Sequence, residues 1–370
     1  LSKGIEFLMK KNDITHLSGR GMLKSPNKIE VTSGKKKEIV EAKKIIIATG
    51  ARPKIFPGME SDGKQVITSK EAMVLKEPPK KMVIIGAGAI GAEFAYFYNE
   101  YGTEIHLIEM MPNILPIEDE DISKEVEKSF KKSGIKIYKE TKVTQIEKLK
   151  TKVKVHAEKG KEKQIIDADI VLIATGVKGN IENIGLEEIG VTSDKGAITI
   201  NEFNQTSVPN VYAIGDVSGP PWLAHVASAQ GHVAVEHASG NTPQPVDYTN
   251  IPGCTYCQPQ VASLGMTEAI AKEKGIAIKV GRFDFSASGK ALATGDSTGF
   301  VKIIFDAKYG ELLGCHIVGS EATELIAELG VAKALETTWQ EIAMTVHAHP
   351  TLSEAVMEAA LDAFGQGVHK

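Results

Sequence analysis

The chain has 370 residues, 42% of them apolar and 24% charged, with a formal net charge of −4. That length holds two or three domains with sizeable cores, at the composition of an ordinary soluble globular protein. There is no basic excess to displace counterions from nucleic acid, and the longest uncharged apolar stretch, around Met82 to Ala92, is too short and glycine-rich to span a bilayer, so neither partner is expected.

From Leu1 to Lys11 the sequence reads as the end of an amphipathic helix already under way, as though the chain lacks its opening; no signal peptide is legible. The alternating segments Ile29-Glu30-Val31 and Glu38-Ile39-Val40 predict a small antiparallel meander, with Lys35-Lys36-Lys37 and Lys43-Lys44 on its solvated edge. Lys44 to Gly50 is an apolar run ending in Ala48-Thr49-Gly50. Such a run is buried on both faces and expects parallel neighbours, which do not lie upstream. Residues 51 to 80, with four prolines, read as a linker carrying one short helix near Ser69 to Leu75.

Next comes Lys81-Met82-Val83-Ile84-Ile85-Gly86-Ala87-Gly88-Ala89-Ile90-Gly91-Ala92-Glu93, a strand breaking into glycines at G-x-G-x-x-G spacing and then a helix. Gly86 permits the sharp turn, Gly88 lets backbone approach a pyrophosphate, and Gly91 lets helix pack on strand. The phosphates would sit on the positive end of the helix. A lone motif of this kind is weak evidence in a glycine-rich chain. The context strengthens it: a second apolar strand, Glu104 to Ile108, ends in Glu109, 23 residues after Gly86, where a carboxylate would accept both ribose hydroxyls of NAD. The alternative is a tight glycine turn in a buried βαβ unit.

A charged helix from Asp119 to Ser133, a strand at Ile135 to Tyr138 and a charged meander from Thr141 to Gln164 follow. Asp169 to Gly176 then repeats the apolar-run-then-Ala-Thr-Gly pattern of Lys44 to Gly50, 126 residues later. The echo suggests two related nucleotide-binding halves, only one complete. Val211 to Asp216 is another short strand ending in an acid, and Trp222 to Ala238 reads as a buried helix. A Pro-, Asn-, Thr- and Cys-rich shift around Val246 to Pro259 marks a domain boundary. Strands at 276–285, 300–305 and 311–318 and helices at 321–337, 338–347 and 352–364 close the chain as an α+β domain.

The most suggestive polar cluster is His347-Ala348-His349-Pro350-Thr351-Leu352-Ser353-Glu354. Pro350 turns the chain, and Glu354, in the first turn of the next helix, can reach back to His349. A carboxylate on one ring nitrogen raises the basicity of the other, as a general base requires. On spacing alone a capping or metal role for the two histidines stays open. Cys254-Thr255-Tyr256-Cys257 could be a redox pair or half a zinc site, but no second C-x-x-C exists, so unpaired structural thiols are favoured and no metal is assigned. Three cysteines in all do not make a secreted disulfide framework; a reducing compartment is expected.

In order and content these motifs resemble the dihydrolipoamide dehydrogenase family of flavoprotein disulfide reductases along the whole chain, the terminal His-Ala-His-Pro-Thr-Leu-Ser-Glu being the most specific. The resemblance implies an α/β fold with tandem Rossmann-like FAD and NAD domains, the former incomplete, and a C-terminal α+β interface domain. The implied segments are a partial FAD domain at 1–69, an NAD domain at 70–190, the rest of the FAD region at 191–245 and a dimerisation domain at 246–370.

By the same resemblance, Gly21, Thr49, Gly50 and Ala51 match positions touching FAD, Asp216 the acid holding the ribityl chain, and Trp222, Leu223, Ala224 and His225 the segment passing the flavin ring. Gly86, Ala87, Gly88, Ala89, Ile90, Gly91, Ala92, Glu93, Glu109, Val143 and Gly176 match the NAD site. His349 is similar to the family's proton acceptor, with Glu354 orienting it, and serves the neighbouring subunit's active site, so a homodimer is implied. The implied reaction takes a proton from dihydrolipoamide, attacks an enzyme disulfide and passes electrons through FAD to NAD. The implied partners are lipoyl domains of 2-oxoacid dehydrogenase complexes, and the implied location is a bacterial cytoplasm in preference to a mitochondrial matrix.

The chain departs from the pattern twice. Val177-Lys178-Gly179-Asn180 stands where many relatives have Arg at the first position and Pro at the third. The family's opening G-x-G-x-x-G for FAD and its Cys-x-x-x-x-Cys redox pair are not in this sequence and would lie upstream of Leu1. A glutathione reductase-like or mercuric reductase-like flavoprotein, or a non-catalytic NAD-binding or assembly subunit, are the alternative readings.

Overall fold

The computed structural model describes residues 2–369, and the chain divides into two compact units. One comprises the stretch up to Arg52 with Val177–Val246, the other Pro53–Gly176 with Asp247 onward.

The second unit is built on a five-stranded parallel sheet in the order Val66–Thr68, Ile170–Ile173, Lys81–Ile85, Glu104–Ile108, Lys136–Tyr138. Its strands are apolar on both faces because both are covered. Met82, Ile84, Ile105, Leu107 and Leu172 face a layer containing Ala92, Ala95 and Tyr98 of the helix Ala89–Glu100 and Ile122, Val126 and Phe130 of the helix Glu120–Lys132. The alternate residues Val83, Ile85, Ile108, Val171 and Ile173 pack against Val143, Val153, Val155, Ala157 and Ile166. These last come from the antiparallel meander Lys142–Lys148, Val153–Lys159, Glu162–Ala168. Each large aliphatic chain so buried contributes about 1.5–3 kcal/mol.

The C-terminal segment adds a five-stranded antiparallel sheet in the order Gly253–Thr255, Gln260–Gly265, Leu312–Gly319, Gly299–Asp306, Ile278–Asp284. On one face Leu264, Val301, Ile303, Phe305 and Ile317 meet the helices Ala322–Ala334, Trp339–Met344 and Glu354–Ala363. On the other, Val261, Phe300 and Val318 join the helical layer of the nucleotide-binding segment. The first two strands stand where the sequence suggested only a boundary. Their flanking prolines, glycines and small residues hide them from sequence pattern, and pairing of Gln260–Gly265 with the buried strand Leu312–Gly319 supplies what propensity lacks.

The first unit holds the meander Arg20–Ser25, Lys28–Ser33, Lys36–Glu41 and a two-stranded parallel pair, Ile45–Ile47 with Val211–Ala213. Ile45 and Ile47 are buried with Leu23, Leu186, Val191, Ile198 and Val211, while Ile46 between them is 38% exposed. The expectation of a strand buried on both faces is therefore met on one face only, its neighbour coming from downstream. The helix Ser2–Lys11 buries no side chain.

The unit boundaries fall away from the sequence-based segments. Val66–Thr68 is an edge strand of the parallel sheet, so residues 53–69 go with the second unit. Residues 177–190 go with the first: Leu23 N–H donates to Ile184 O at 2.9 Å, and Leu186 packs on Leu23.

Candidate active site and dinucleotide site

At the C-terminal end of Lys81–Ile85 the chain turns at Gly86, whose φ is +99°; a Cβ there would stand 2.4 Å from Ala174 O. A Cβ on Gly91 would stand 1.9 Å from Gly86 O, so only glycine lets the helix begin against the strand. A Cβ on Gly88 would meet nothing within 4 Å. Gly88 is the N-cap of the helix Ala89–Glu100 and offers it no side-chain acceptor. The first-turn N–H groups of Ala89 and Ile90 therefore suit an anionic partner.

Glu109 ends the next strand and is buried. Its Oε2 accepts from Ala87 N at 2.7 Å and its Oε1 from Met111 N at 2.9 Å. Two backbone donors thus fix the carboxylate beside the glycine turn, and each oxygen keeps lone-pair capacity for a hydroxyl. Val143 is buried in the core beneath the sheet, so only its backbone remains for a ligand. Gly176, at φ +98°, accepts from Lys54 N at 2.9 Å. Glu93 Oε1 accepts from Tyr256 N at 2.9 Å, and burial lifts its pKa. The residues present fit a dinucleotide.

These geometries separate packing from binding. Gly91→Ala is expected to destabilise the protein by about 1–3 kcal/mol through overpacking. Gly88→Ala should shift stability by less than about 0.5 kcal/mol yet weaken NADH binding about tenfold, by blocking close backbone approach. Thermal unfolding beside an NADH titration reads both; a Gly88→Ala protein with unchanged NADH affinity would place the pyrophosphate elsewhere.

In the first unit the parallel pairing of Ile45–Ile47 with Val211–Ala213 brings the ends of both strands, Thr49-Gly50-Ala51 and Gly215-Asp216, to one side. Thr49 Oγ1 donates to Asn180 O at 2.8 Å, and Asn180 donates from Nδ2 to Thr49 O and from its backbone to Gly50 O, both at 2.9 Å. Arg52 adds Gly179 O at 3.1 Å and a 2.6 Å ion pair to Glu182, whose pKa Arg52 and Lys178 pull down to about 2. The unusual Val177-Lys178-Gly179-Asn180 segment thus anchors the Thr-Gly-Ala turn. Gly215 N–H donates to Gln230 Oε1 at 2.6 Å, fixing the short 3-10 helix Gly215–Ser218 that carries Asp216. Trp222 is exposed and Leu223 caps the helix Ala224–Ala238, whose second residue is His225. Gly21 lies on the strand Arg20–Ser25, opposite Val31. These turns fit part of a flavin nucleotide.

The third grouping is the turn after Met344. His349 Nδ1 donates to Glu354 Oε1 at 2.9 Å, and Glu354 Oε2 accepts from Thr351 N at 2.9 Å. The Thr351 N–H first, then His349, hold the Glu354 pKa below the usual carboxylate range. A fixed anion on Nδ1 leaves Nε2 as the proton acceptor, and the imidazole is 78% exposed. His347, by contrast, is buried at its ring: Nε2 pairs with Glu328 Oε1 at 2.7 Å and Nδ1 lies 2.9 Å from Thr345 O. It ties the turn to the helix Ala322–Ala334. The His347–Glu328 contact escaped sequence reading, since nothing in the spacing of residues 19 apart signals it.

The cysteines are all free thiols. Burial lifts Cys257 to about 12 and Cys315 well above its usual value; burial, with Glu118 and Glu324 nearby, raises Cys254. None has the thiolate character of a redox nucleophile. Among the described residues no cluster of His, Cys, Asp or Glu suits a metal ion, and no helix is long and apolar enough to cross a membrane.

Residues 1–231 match the model of the pyridine nucleotide-disulphide oxidoreductases, and residues 251–360 match the dimerisation domain of that family. The chain belongs to the pyridine nucleotide-disulphide oxidoreductase family. Among its members, it is 47% identical to the dihydrolipoyl dehydrogenase of Rhizobium etli, over 99% of this chain and 80% of the relative. To that of Bacillus subtilis it is 43% identical, over 100% of this chain and 80% of the relative. Among solved structures, LpdA of Mycobacterium tuberculosis superposes with a TM-score of 0.90 at 27% identity, over 97% of this chain and 79% of that one. The HOCl-induced flavoprotein disulfide reductase RclA of Escherichia coli, at 24% identity, a TM-score of 0.87, and coverage of 97% of this chain and 83% of that one, shares the fold.

Proposed function

We propose that the protein oxidises dihydrolipoamide to lipoamide with NAD as the final acceptor, the reaction named by its dihydrolipoyl dehydrogenase relatives: dihydrolipoamide and NAD⁺ give lipoamide, NADH and a proton. The observation that carries it is the His349–Glu354 pair, a base oriented through Nδ1 and exposed at Nε2. Glu354 holds the tautomer and stabilises the imidazolium when Nε2 takes a thiol proton. Flavin, when bound, supplies two-electron transfer between thiols and nicotinamide. Thr49, Gly50, Ala51, Asp216 and the segment Trp222 to His225, with Gly21, would hold it. Gly86 to Glu93, Glu109, Val143 and Gly176 would hold NAD, the glycine turn taking the pyrophosphate and Glu109 the ribose.

The exposure of His349 supports a base that serves a second copy. Val346 is 95% exposed beside it, with Met344, Leu335 and Val331 also bare on the same domain. A homodimer covers such surface, and lipoyl domains in a bacterial cytoplasm present the dithiol. The first unit then serves FAD, 53–176 serves NAD, and the segment from 247 onward forms the dimer. Dithiol-dependent NADH formation by the protein in its natural reading frame, beside glutathione disulfide reduction with NADPH, tests the substrate. Faster turnover of glutathione disulfide would overturn the assignment.

A further inference from the structure

An ion cluster centred on a buried Lys302–Asp119 pair, with Asp121 and Glu268 at its partly exposed edge, joins the nucleotide-binding segment to the C-terminal sheet. Lys302, 3% exposed, sends its ammonium to Asp119 Oδ1 and Asp121 Oδ2, both at 2.7 Å, and also contacts Glu268. It stands mid-strand between Val301 and Ile303, both fully buried, where an apolar residue would pack without desolvating a charge. Burying such a cluster is at best weakly stabilising against an apolar alternative, so stability does not explain the lysine. Burial would pull its pKa down, but the three carboxylates hold it above its ordinary value. Asp119, which burial would raise, is held below. Lys302 and Asp119 therefore face each other as an ion pair across the neutral range.

What the cluster holds leads back to the glycine turn. Asp119 caps the helix Glu120–Lys132, its Oδ1 accepting from Asp121 N at 3.1 Å and its Oδ2 from Glu268 N at 3.4 Å. One turn along, Ser123 N–H donates to Asp119 O at 3.1 Å and Ser123 Oγ donates to Leu115 O at 3.3 Å. Leu115, buried and in the left-handed region at φ +46°, donates its N–H to Ala87 O at 2.7 Å. The opposite side of the same residue, Ala87 N–H, donates to Glu109. The residue between the first two motif glycines is thus held by the ribose carboxylate on one side and by the Lys302 chain on the other.

We propose that Lys302, although it belongs to the C-terminal domain, is a positioning residue for the dinucleotide turn. Through Asp119, Ser123 and Leu115 it fixes the Ala87 carbonyl, and so the backbone donors that follow it. The inference rests on reading Gly86 to Gly91 and Glu109 as the NAD site. Replacing a lysine that only stabilises would lower the unfolding midpoint and leave NADH affinity untouched at temperatures far below it. A positioning lysine moves affinity in protein that is still folded.

The test is NADH titration of the full chain at 25 °C for wild type, Lys302→Met, Asp121→Asn and the double variant Lys302→Met/Asp119→Asn, with circular dichroism confirming the fold. The NADH dissociation constant is expected to rise about tenfold for Lys302→Met and about threefold for the milder Asp121→Asn. The double variant should rise no further than Lys302→Met, because both changes break one network. Wild-type affinity in folded Lys302→Met overturns the proposal, and if that variant does not fold, wild-type affinity in Asp121→Asn does so. A wild-type chain that binds no NADH overturns instead the dinucleotide reading beneath it.

Discussion

Replacing His349 by glutamine lowers the rate of dihydrolipoamide oxidation by about 10²–10⁴, the usual loss when one well-placed base is removed. The imidazole is exposed in the chain, and among the described residues its hydrogen bond goes to Glu354. The flavin spectrum and NADH affinity should therefore stay at wild-type values, which separates lost chemistry from lost structure. Glu354→Gln should cost less, since it leaves Nε2 in place and removes only the charge that orients the ring. Cys254→Ser should retain activity, because burial and two nearby carboxylates keep that thiol protonated. Full activity in His349→Gln, with loss in Cys254→Ser, would move the chemistry from His349 to the cysteine.

NADP is expected to bind at least about a hundredfold more weakly than NAD. The Glu109 carboxylate is buried and fixed by two backbone N–H groups, so it cannot swing aside for a 2′-phosphate. None of residues 110 to 119 is Lys or Arg, so the stretch that follows Glu109 carries no cation to neutralise the phosphate. Like charges brought together in a binding site cost several kcal/mol, and about 1.4 kcal/mol is tenfold in affinity. Calorimetric titration with each cofactor measures the ratio. Equal affinities would mean that the phosphate is held away from Glu109.

Much of this was legible because certain jobs admit few residues. Only glycine satisfies the positions at Gly86 and Gly91, so their spacing marks a strand-to-helix turn before any fold is known. The His349–Glu354 pair is local, bridged by one proline turn, and local contacts leave a trace in spacing. The strands Gly253–Thr255 and Gln260–Gly265 left none: the second pairs with a strand some fifty residues downstream, and the first is added to the sheet through the second. The Lys302 cluster was illegible for the same reason: Asp119 is 183 residues away, and a lysine in an apolar strand gives no sign of its partners. The parting of the units at residues 52, 176 and 246 likewise depends on which distant segments pair.

The parallel pair of the first unit sets a timetable for synthesis. Among the described residues Ile45–Ile47 pairs with Val211–Ala213 alone, whose first residue is made 164 positions after Ile47. At roughly 5–20 residues per second, a ribosome needs on the order of 10–30 s to cover that distance. During that interval the five-stranded parallel sheet can close as soon as Ile173 has left the tunnel, while three isoleucines upstream still wait. The nucleotide-binding sheet can therefore be finished before Val211–Ala213, the strand that pairs with Ile45–Ile47, has been made.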